Sequence, residues 1–149
     1  MAKLHPYLHF ENTKEALEYY TTVFGARVVD RYPVPPEMAK QFGLPLEALE
    51  NSTMHAEFLI EGARILCSDR MGHVGEFSPM TALLLDFDLD VEAEVQKMHA
   101  LWERVTSSGT VNVRMPLTEQ FWGGWIGGLT DQYGVVWMIH AQPFSQIKG

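Results

Sequence analysis

The sequence predicts an α+β fold in which one order of elements is used twice. Three observations predict it. Several short segments alternate apolar and polar residues with the period of a β-strand. Two segments place apolar residues at helical spacing. The order strand, helix, strand, strand, strand then occurs once in each half of the chain. The repeat is one of architecture, with little residue-by-residue identity between the halves. The modules are expected at residues 1–70 and 79–149.

In the first half, LHPYLHFE (residues 4–11) alternates His5, Tyr7 and His9 with Leu4, Leu8 and Phe10. Pro6 lacks an N–H and suits a strand start or an edge. Asn12 followed by Glu15 resembles a capping box, after which Ala16, Leu17, Tyr20 and Phe24 recur at helical spacing. Gly25 fits the left-handed position that ends a helix. RVVDRYPV is the second strand. Four prolines between residues 33 and 45 rule out a central strand, so this segment is expected to be a loop with a short helical turn, a lid or a partner contact. Residues 53–60 and 64–68 are expected to pair as a hairpin turning at Glu61 and Gly62. Residues 70–78 read as a mobile connection.

In the second half, the nearly continuous apolar run of MTALLLDFDLD suggests a strand buried on both faces. Asp90 is expected to cap a helix whose stripe is Val91, Val95, Met98, Trp102 and Val105, with Gly109 just past its end. TVNVRMPL is a strand. The segments WGGWIGGLT and VVWMIHA then form a hairpin across Asp131, Gln132, Tyr133 and Gly134.

The bulk composition excludes several classes. The 149 residues suit one domain or two half-domains, and 46% hydrophobic with 20% charged residues is an ordinary globular mix. A formal net charge of −8 argues against binding a phosphate backbone, so no nucleic-acid partner is expected. Cys67 is the single cysteine, which precludes an intrachain disulfide and favours a reducing compartment. No signal-peptide pattern opens the chain, and no window approaches the roughly 18 apolar residues that span a bilayer. A cytoplasmic protein without a membrane partner is the expectation.

The segment FWGGWIGGLTDQYGVVWMIH (residues 121–140) holds three of the four tryptophans and five glycines, with Asp131 its only charged group. Glycine weakens an ordinary strand, so Gly123, Gly124, Gly127 and Gly128 suit a place where backbone or ligand approaches closely. Two readings stand: a curved strand that wraps a pocket, or a bulged strand in a packed core. The FGA after the first helix, HAEFLIEGARILCSD, and FWGGWIGGLTDQYGVVWMI together resemble the vicinal oxygen chelate superfamily of glyoxalase, bleomycin-resistance and extradiol dioxygenase proteins. The likeness is closest to its PhnB-like, demethylubiquinone-methyltransferase-like branch, and it covers nearly the whole chain. The pattern FWG…TD-x-[YF]-G-V-x-W is its most specific part. The resemblance implies two βαβββ half-cups forming a cupped, mostly antiparallel sheet around a cavity, and often a homodimer. No glycine-rich nucleotide loop accompanies it, so no methyl-donor or other cofactor is expected.

Metal-dependent members of that superfamily carry four ligand positions on cup-lining strands. Transferred here, they fall on His5, Leu66, Ala82 and Trp137. An apolar side chain donates no lone pair, so three of the four are lost, and their sequence neighbours Ile65, Cys67, Leu83, Val136 and Met138 restore little; only Cys67 and Thr81 could coordinate, weakly or for other metals. No metal is expected. The expected activity is small-molecule binding in a cavity lined by His5, Tyr7, His55, Phe87, Trp122, Trp125 and Trp137, which favours an apolar or aromatic ligand with one or two polar anchors. His5 and His55 also fit histidines satisfied by backbone carbonyls, and His9, His73, His99 and His140 are not nominated. Alternatives are a metal-dependent isomerase, lyase or dioxygenase with relocated ligands, or an interaction protein with a vestigial cavity. DFDLD is not a calcium loop, because Val91 and Lys97 stand where an EF-hand needs Gly and Glu. Its aspartates are expected to be solvated. Cys67 is expected to be a small buried hydrophobe.

Overall fold

A computed structural model describes residues 2–71 and 80–147. The chain divides into two compact units, Met1–Gly75 and Glu76–Gly149. The first contains β1 (Tyr7–Phe10), α1 (Thr13–Phe24), β2 (Arg27–Tyr32), β3 (His55–Ile60) and β4 (Ala63–Asp69). The second contains β5 (Leu83–Asp88), α2 (Glu92–Ser107), β6 (Asn112–Glu119), β7 (Trp125–Thr130) and β8 (Val136–Gln142). Each unit is thus a βαβββ module. Their sheets have equivalent orders, β1-β4-β3-β2 and β5-β8-β7-β6. In each, the first strand pairs in parallel with the last and the other pairings are antiparallel. This is an α+β architecture of two mixed four-stranded sheets. Among the described residues, no helix is long and apolar enough to cross a membrane.

In the first unit, helix α1 starts and stops where its sequence dictates. The Asn12 side chain accepts from the Glu15 N–H at 3.2 Å, and Gly25 closes the helix at φ +70°. Tyr20 fixes the packing: it stacks on Phe58 at 5.2 Å and touches Phe10 at 5.8 Å. All three side chains are fully buried or nearly so, each contributing about 2 kcal/mol of hydrophobic stabilisation. The Asp69 carboxylate accepts from the Thr13 and Thr53 N–H groups, tying the helix start to the approach of β3. The β3–β4 hairpin turns through Glu61 and Gly62, both at positive φ, the two-residue loop that matches strand twist. Strand β1 begins only at Tyr7, and Leu4 is exposed outside it. Pro6 explains the shorter strand: it has no N–H to donate, though its carbonyl still accepts from Leu66. The proline-rich segment contains two 3₁₀ turns, Pro36–Met38 and Leu46–Asn51, around a small core of Val34, Ala39 and Leu49. Most of the connection expected at residues 70–78 lies outside the described residues.

The second unit departs from the sequence reading in three places. Strand β5 is buried on one face only: Leu85 and Phe87 are enclosed, whereas Leu84 is 48% exposed. Helix α2 has Val91 at its N-cap with no side-chain cap, so Asp90 does not cap it. Asp90 instead accepts from the Ser145 hydroxyl. The buried stripe of α2 is Met98, Leu101 and Val105, and Val91 is exposed. The β7–β8 turn is built around Asp131. One carboxylate oxygen accepts from the Tyr133 and Val135 N–H groups, and the other from the indole N–H of Trp137 at 2.8 Å. Gly134 takes φ +87° at the end of this turn.

Candidate functional site

Alternation along the strands assigns each nominated side chain to a face. In the first unit, Leu8, Phe10, Ile65, Cys67, Ala56 and Phe58 turn toward α1. Tyr7 and His9 on β1, Leu66 and Ser68 on β4, and His55 and Glu57 on β3 occupy the opposite, helix-free face. There two side-chain hydrogen bonds form, joined by contacts between the Tyr7 and histidine rings. The Tyr7 hydroxyl lies 3.1 Å from His55 Nδ1, and Ser68 Oγ lies 3.3 Å from His9 Nδ1. The Tyr7 ring is 5.2 Å from the His9 ring and 5.7 Å from the His55 ring. Tyr32 pairs with His55 across β2 and β3. Tyr7 and Tyr32 remain 43% and 54% exposed, so aromatic surface and polar anchors face solvent together. Arg64 and Glu57 make a 2.9 Å ion pair at the edge of this group. His5 is half-buried just before β1 and makes no side-chain hydrogen bond among the described residues.

The second unit separates its nominated aromatics. Phe87 and Trp137 face α2 and are enclosed, and the Trp137 indole N–H is committed to Asp131. Trp125 also turns to the helix side, edge-on to His99 of α2 at 4.7 Å. These three are packing residues of the helix face. Trp122 differs: it precedes β7 in a tight turn and is half-exposed. The Gly123 N–H closes that turn on the Gln120 carbonyl at 2.9 Å, with Gly123 at φ +95°. The indole folds back over Gly124. A Cβ built there would lie 1.7 Å from the Trp122 ring, so only glycine leaves the room. The glycines therefore serve close packing on both faces, since a Cβ on Gly127 would meet the Leu117 backbone and the Trp102 ring.

Three residues beside Trp122 escaped the sequence reading. Asp86, His140 and Gln142 share the helix-free face of β5 and β8. His140 Nδ1 lies 2.8 Å from Asp86 Oδ1, and the Gln142 amide donates to Asp86 Oδ2 at 2.7 Å. The Trp122 and His140 rings are 6.1 Å apart. The expected solvation of the aspartates is thus corrected for Asp86; Asp88 accepts from the Asp90 and Phe144 N–H groups at an exposed strand end. The available signal was phase: Asp86 falls between Leu85 and Phe87, and His140 between Ile139 and Ala141, all of which turn to the core. His73 lies outside the described residues.

The same alternation sharpens the comparison with a metal site. Trp137 points to the helix, so β8 presents Val136, Met138 and His140 on its other face. Leu66 does occupy the helix-free face of β4, and it is apolar. Among the described residues, no group of three or more His, Cys, Asp or Glu side chains is disposed to hold a metal ion. The donor set does not fit the superfamily's divalent metal. Two clefts lie elsewhere. One, of about 340 Å³, runs along α1 beside β2 and includes Lys14, Thr21 and Val28. Its Arg31 is already bonded to the Ser52 carbonyl at 2.7 Å. The other, of about 550 Å³, lies in the proline-rich segment. Neither contains a nominated residue.

Residues 2–140 match the family described as 3-demethylubiquinone-9 3-methyltransferase. The chain belongs to that family. Its fold is that of the glyoxalase, bleomycin-resistance and dioxygenase proteins. Protein YjdN of Escherichia coli (strain K12) is 27% identical over 145 residues, covering 92% of this chain and 93% of that protein. A PhnB protein from Bacillus cereus has a similar fold, with a TM-score of 0.65 at 22% identity, covering 95% of this chain and all of that one. Protein PA1353 from Pseudomonas aeruginosa gives 0.65 at 24% identity, covering 96% and 99%. The fosfomycin resistance protein FosX from Listeria monocytogenes, complexed with Mn(II) and sulfate, gives 0.61 at 15% identity, covering 97% and 95%. At these identities the structural likenesses establish the fold of this PhnB-like chain and nothing about its ligand.

Proposed function

We propose that this PhnB-like protein binds a small apolar or aromatic molecule on its helix-free sheet faces, without the superfamily's metal. In the first unit, Tyr7 and His55 are the anchors, with His5 at the margin. In the second, Trp122 is the stacking surface. The Tyr7–His55 contact carries this reading: a 3.1 Å hydrogen bond holds a phenol and an imidazole in place while the tyrosine ring stays open to solvent. An aromatic body beside oriented polar tips is the usual composition of a ligand surface. A metal-dependent isomerase, lyase or dioxygenase would need lone pairs that Leu66, Ala82, Trp137 and Met138 do not offer as hard donors.

The test is titration with Nile red, a neutral dye whose emission reports an apolar environment. Saturable binding is expected, weakened about tenfold by Tyr7→Ala or Trp122→Ala, the typical effect of removing an aromatic anchor. Binding unchanged in both folded variants would sink this reading.

We further propose a homodimer in the cytoplasm. Leu84 and Met115 on one sheet face, with Phe121 fully exposed, leave apolar area uncovered on the second unit. Sedimentation at micromolar concentration should give the dimer mass. A monodisperse monomer would count against it.

A further inference from the structure

We propose that Asp86 and His140 form a proton-accepting dyad that takes the hydroxyl proton of a planar aromatic ligand stacked on Trp122. The inference rests on the small-molecule reading and adds a reaction to it. It starts from the hydrogen bond between Asp86 Oδ1 and His140 Nδ1 at 2.8 Å. A carboxylate offers no proton, so Nδ1 carries the hydrogen, and in the neutral imidazole Nε2 keeps its lone pair. Among the described residues, Nε2 makes no hydrogen bond. Gln142 holds the second carboxylate oxygen at 2.7 Å, which fixes the carboxylate and through it the imidazole plane. Asp86 is therefore a positioning residue and His140 the proton acceptor. The same division of labour, an imidazole oriented by a buried or half-buried carboxylate, serves general bases elsewhere.

The neighbours define the ligand class. Trp122 offers a half-exposed indole 6.1 Å from the imidazole, seated on Gly124. Ile126 pairs with His140, and Leu84 and Met138 flank it on the same face, so the surroundings are apolar. Asp86 stands directly behind the imidazole and the chain carries a net charge of −8, which disfavours an anionic ligand. A neutral aromatic molecule with an ionisable hydroxyl satisfies all three constraints. In the step itself the ligand O–H bond breaks, its electron pair stays on oxygen, and a new N–H bond forms at Nε2. The resulting imidazolium is balanced by the Asp86 carboxylate.

The probe is para-nitrophenol, whose phenolate is coloured, added to the full-length protein at a pH where the free phenol is mostly protonated. Binding should quench tryptophan fluorescence and raise the phenolate absorbance. Trp122→Ala should weaken both about tenfold or more. His140→Gln should keep the quenching and lose the absorbance gain. Asp86→Asn should behave like His140→Gln, with Asp86→Glu restoring part of the gain. An undiminished gain in folded His140→Gln overturns the dyad. Nile red binding without any phenolate gain in the wild type also overturns it while leaving the binding reading intact, whereas loss of both defeats the two together. Nitrogen NMR of the wild-type histidine rings checks the tautomer without a variant. A proton on Nδ1 with Nε2 bare supports the dyad, and a proton on Nε2 alone refutes it.

Discussion

Asp131 is nearly enclosed, yet it is the only charged residue in its segment, and its two oxygens account for that. They satisfy the Tyr133 and Val135 amides and the Trp137 indole at 2.8–3.1 Å. Asp131→Ala leaves two buried donors and one part-buried donor without this acceptor, a buried one worth about 1–3 kcal/mol, so the loss should be on the order of 3 kcal/mol in chemical denaturation. Trp137→Phe, which removes one donor and keeps most of the ring, should cost less. Cys67 makes the opposite case. Burial, reinforced by Asp69, pushes its thiol from the ordinary 9.0 up to about 12. The native protein should therefore not react with a chromogenic disulfide reagent until it is unfolded. The folded value lies above the unfolded one, so this residue's contribution to stability is full below about pH 9 and declines as pH rises toward 12. Relative to Cys67→Ala, the wild type should lose stability across that window, and a constant difference would contradict the assignment.

The two helices differ in how plainly the sequence announces them. Helix α1 carries its own punctuation: Asn12 caps its start by accepting from the Glu15 N–H, and Gly25 ends it in the left-handed conformation. Helix α2 has no such cap, and its spacing fits two stripes almost equally well. Met98 and Val105 belong to both; the expected stripe continues through Val91, Val95 and Trp102, and the buried one through Leu101. Only packing against the sheet decides between the phases, and that information is not local. Leu101→Ala should cost about 2–5 kcal/mol, whereas Val91→Ala should be nearly neutral, as measured by thermal or urea unfolding. Comparable losses at the two positions would return the stripe to its sequence assignment. The β7 turn shows the same divide. That glycines there permit close approach is legible in the sequence; which ring approaches is not. Gly124→Ala should displace the Trp122 indole, because the new Cβ meets both that ring and the Ala141 carbonyl. A red shift in tryptophan emission is the expected readout. The Asp86–His140 pair was the least legible feature, since 54 positions separate its partners and only the β5–β8 register joins them.

The chain shares the fold of the glyoxalase and bleomycin-resistance proteins, and three of the four positions that the resemblance assigns to metal ligands are apolar. The motif that points most specifically to the family, TDQYGVVW, is occupied with turn and core duties through Asp131, Gly134 and Trp137. It identifies a fold and does not by itself identify a chemistry. Of the four ligand positions, His5 and Leu66 lie in the first unit, and Ala82 and Trp137 in the second. Allowing for strand phase replaces Trp137 with Met138, a thioether suited to soft monovalent copper more than to manganese, nickel or zinc. One imidazole does not retain a divalent ion, because catalytic sites use about three protein ligands. Dialysed protein should therefore contain far less than one metal per chain by elemental analysis, and a chelator should leave its Tm unchanged. The argument depends on side-chain donors alone, so one result reverses it: stoichiometric manganese, nickel or zinc that disappears in His5→Ala would mean that other groups complete the site around His5.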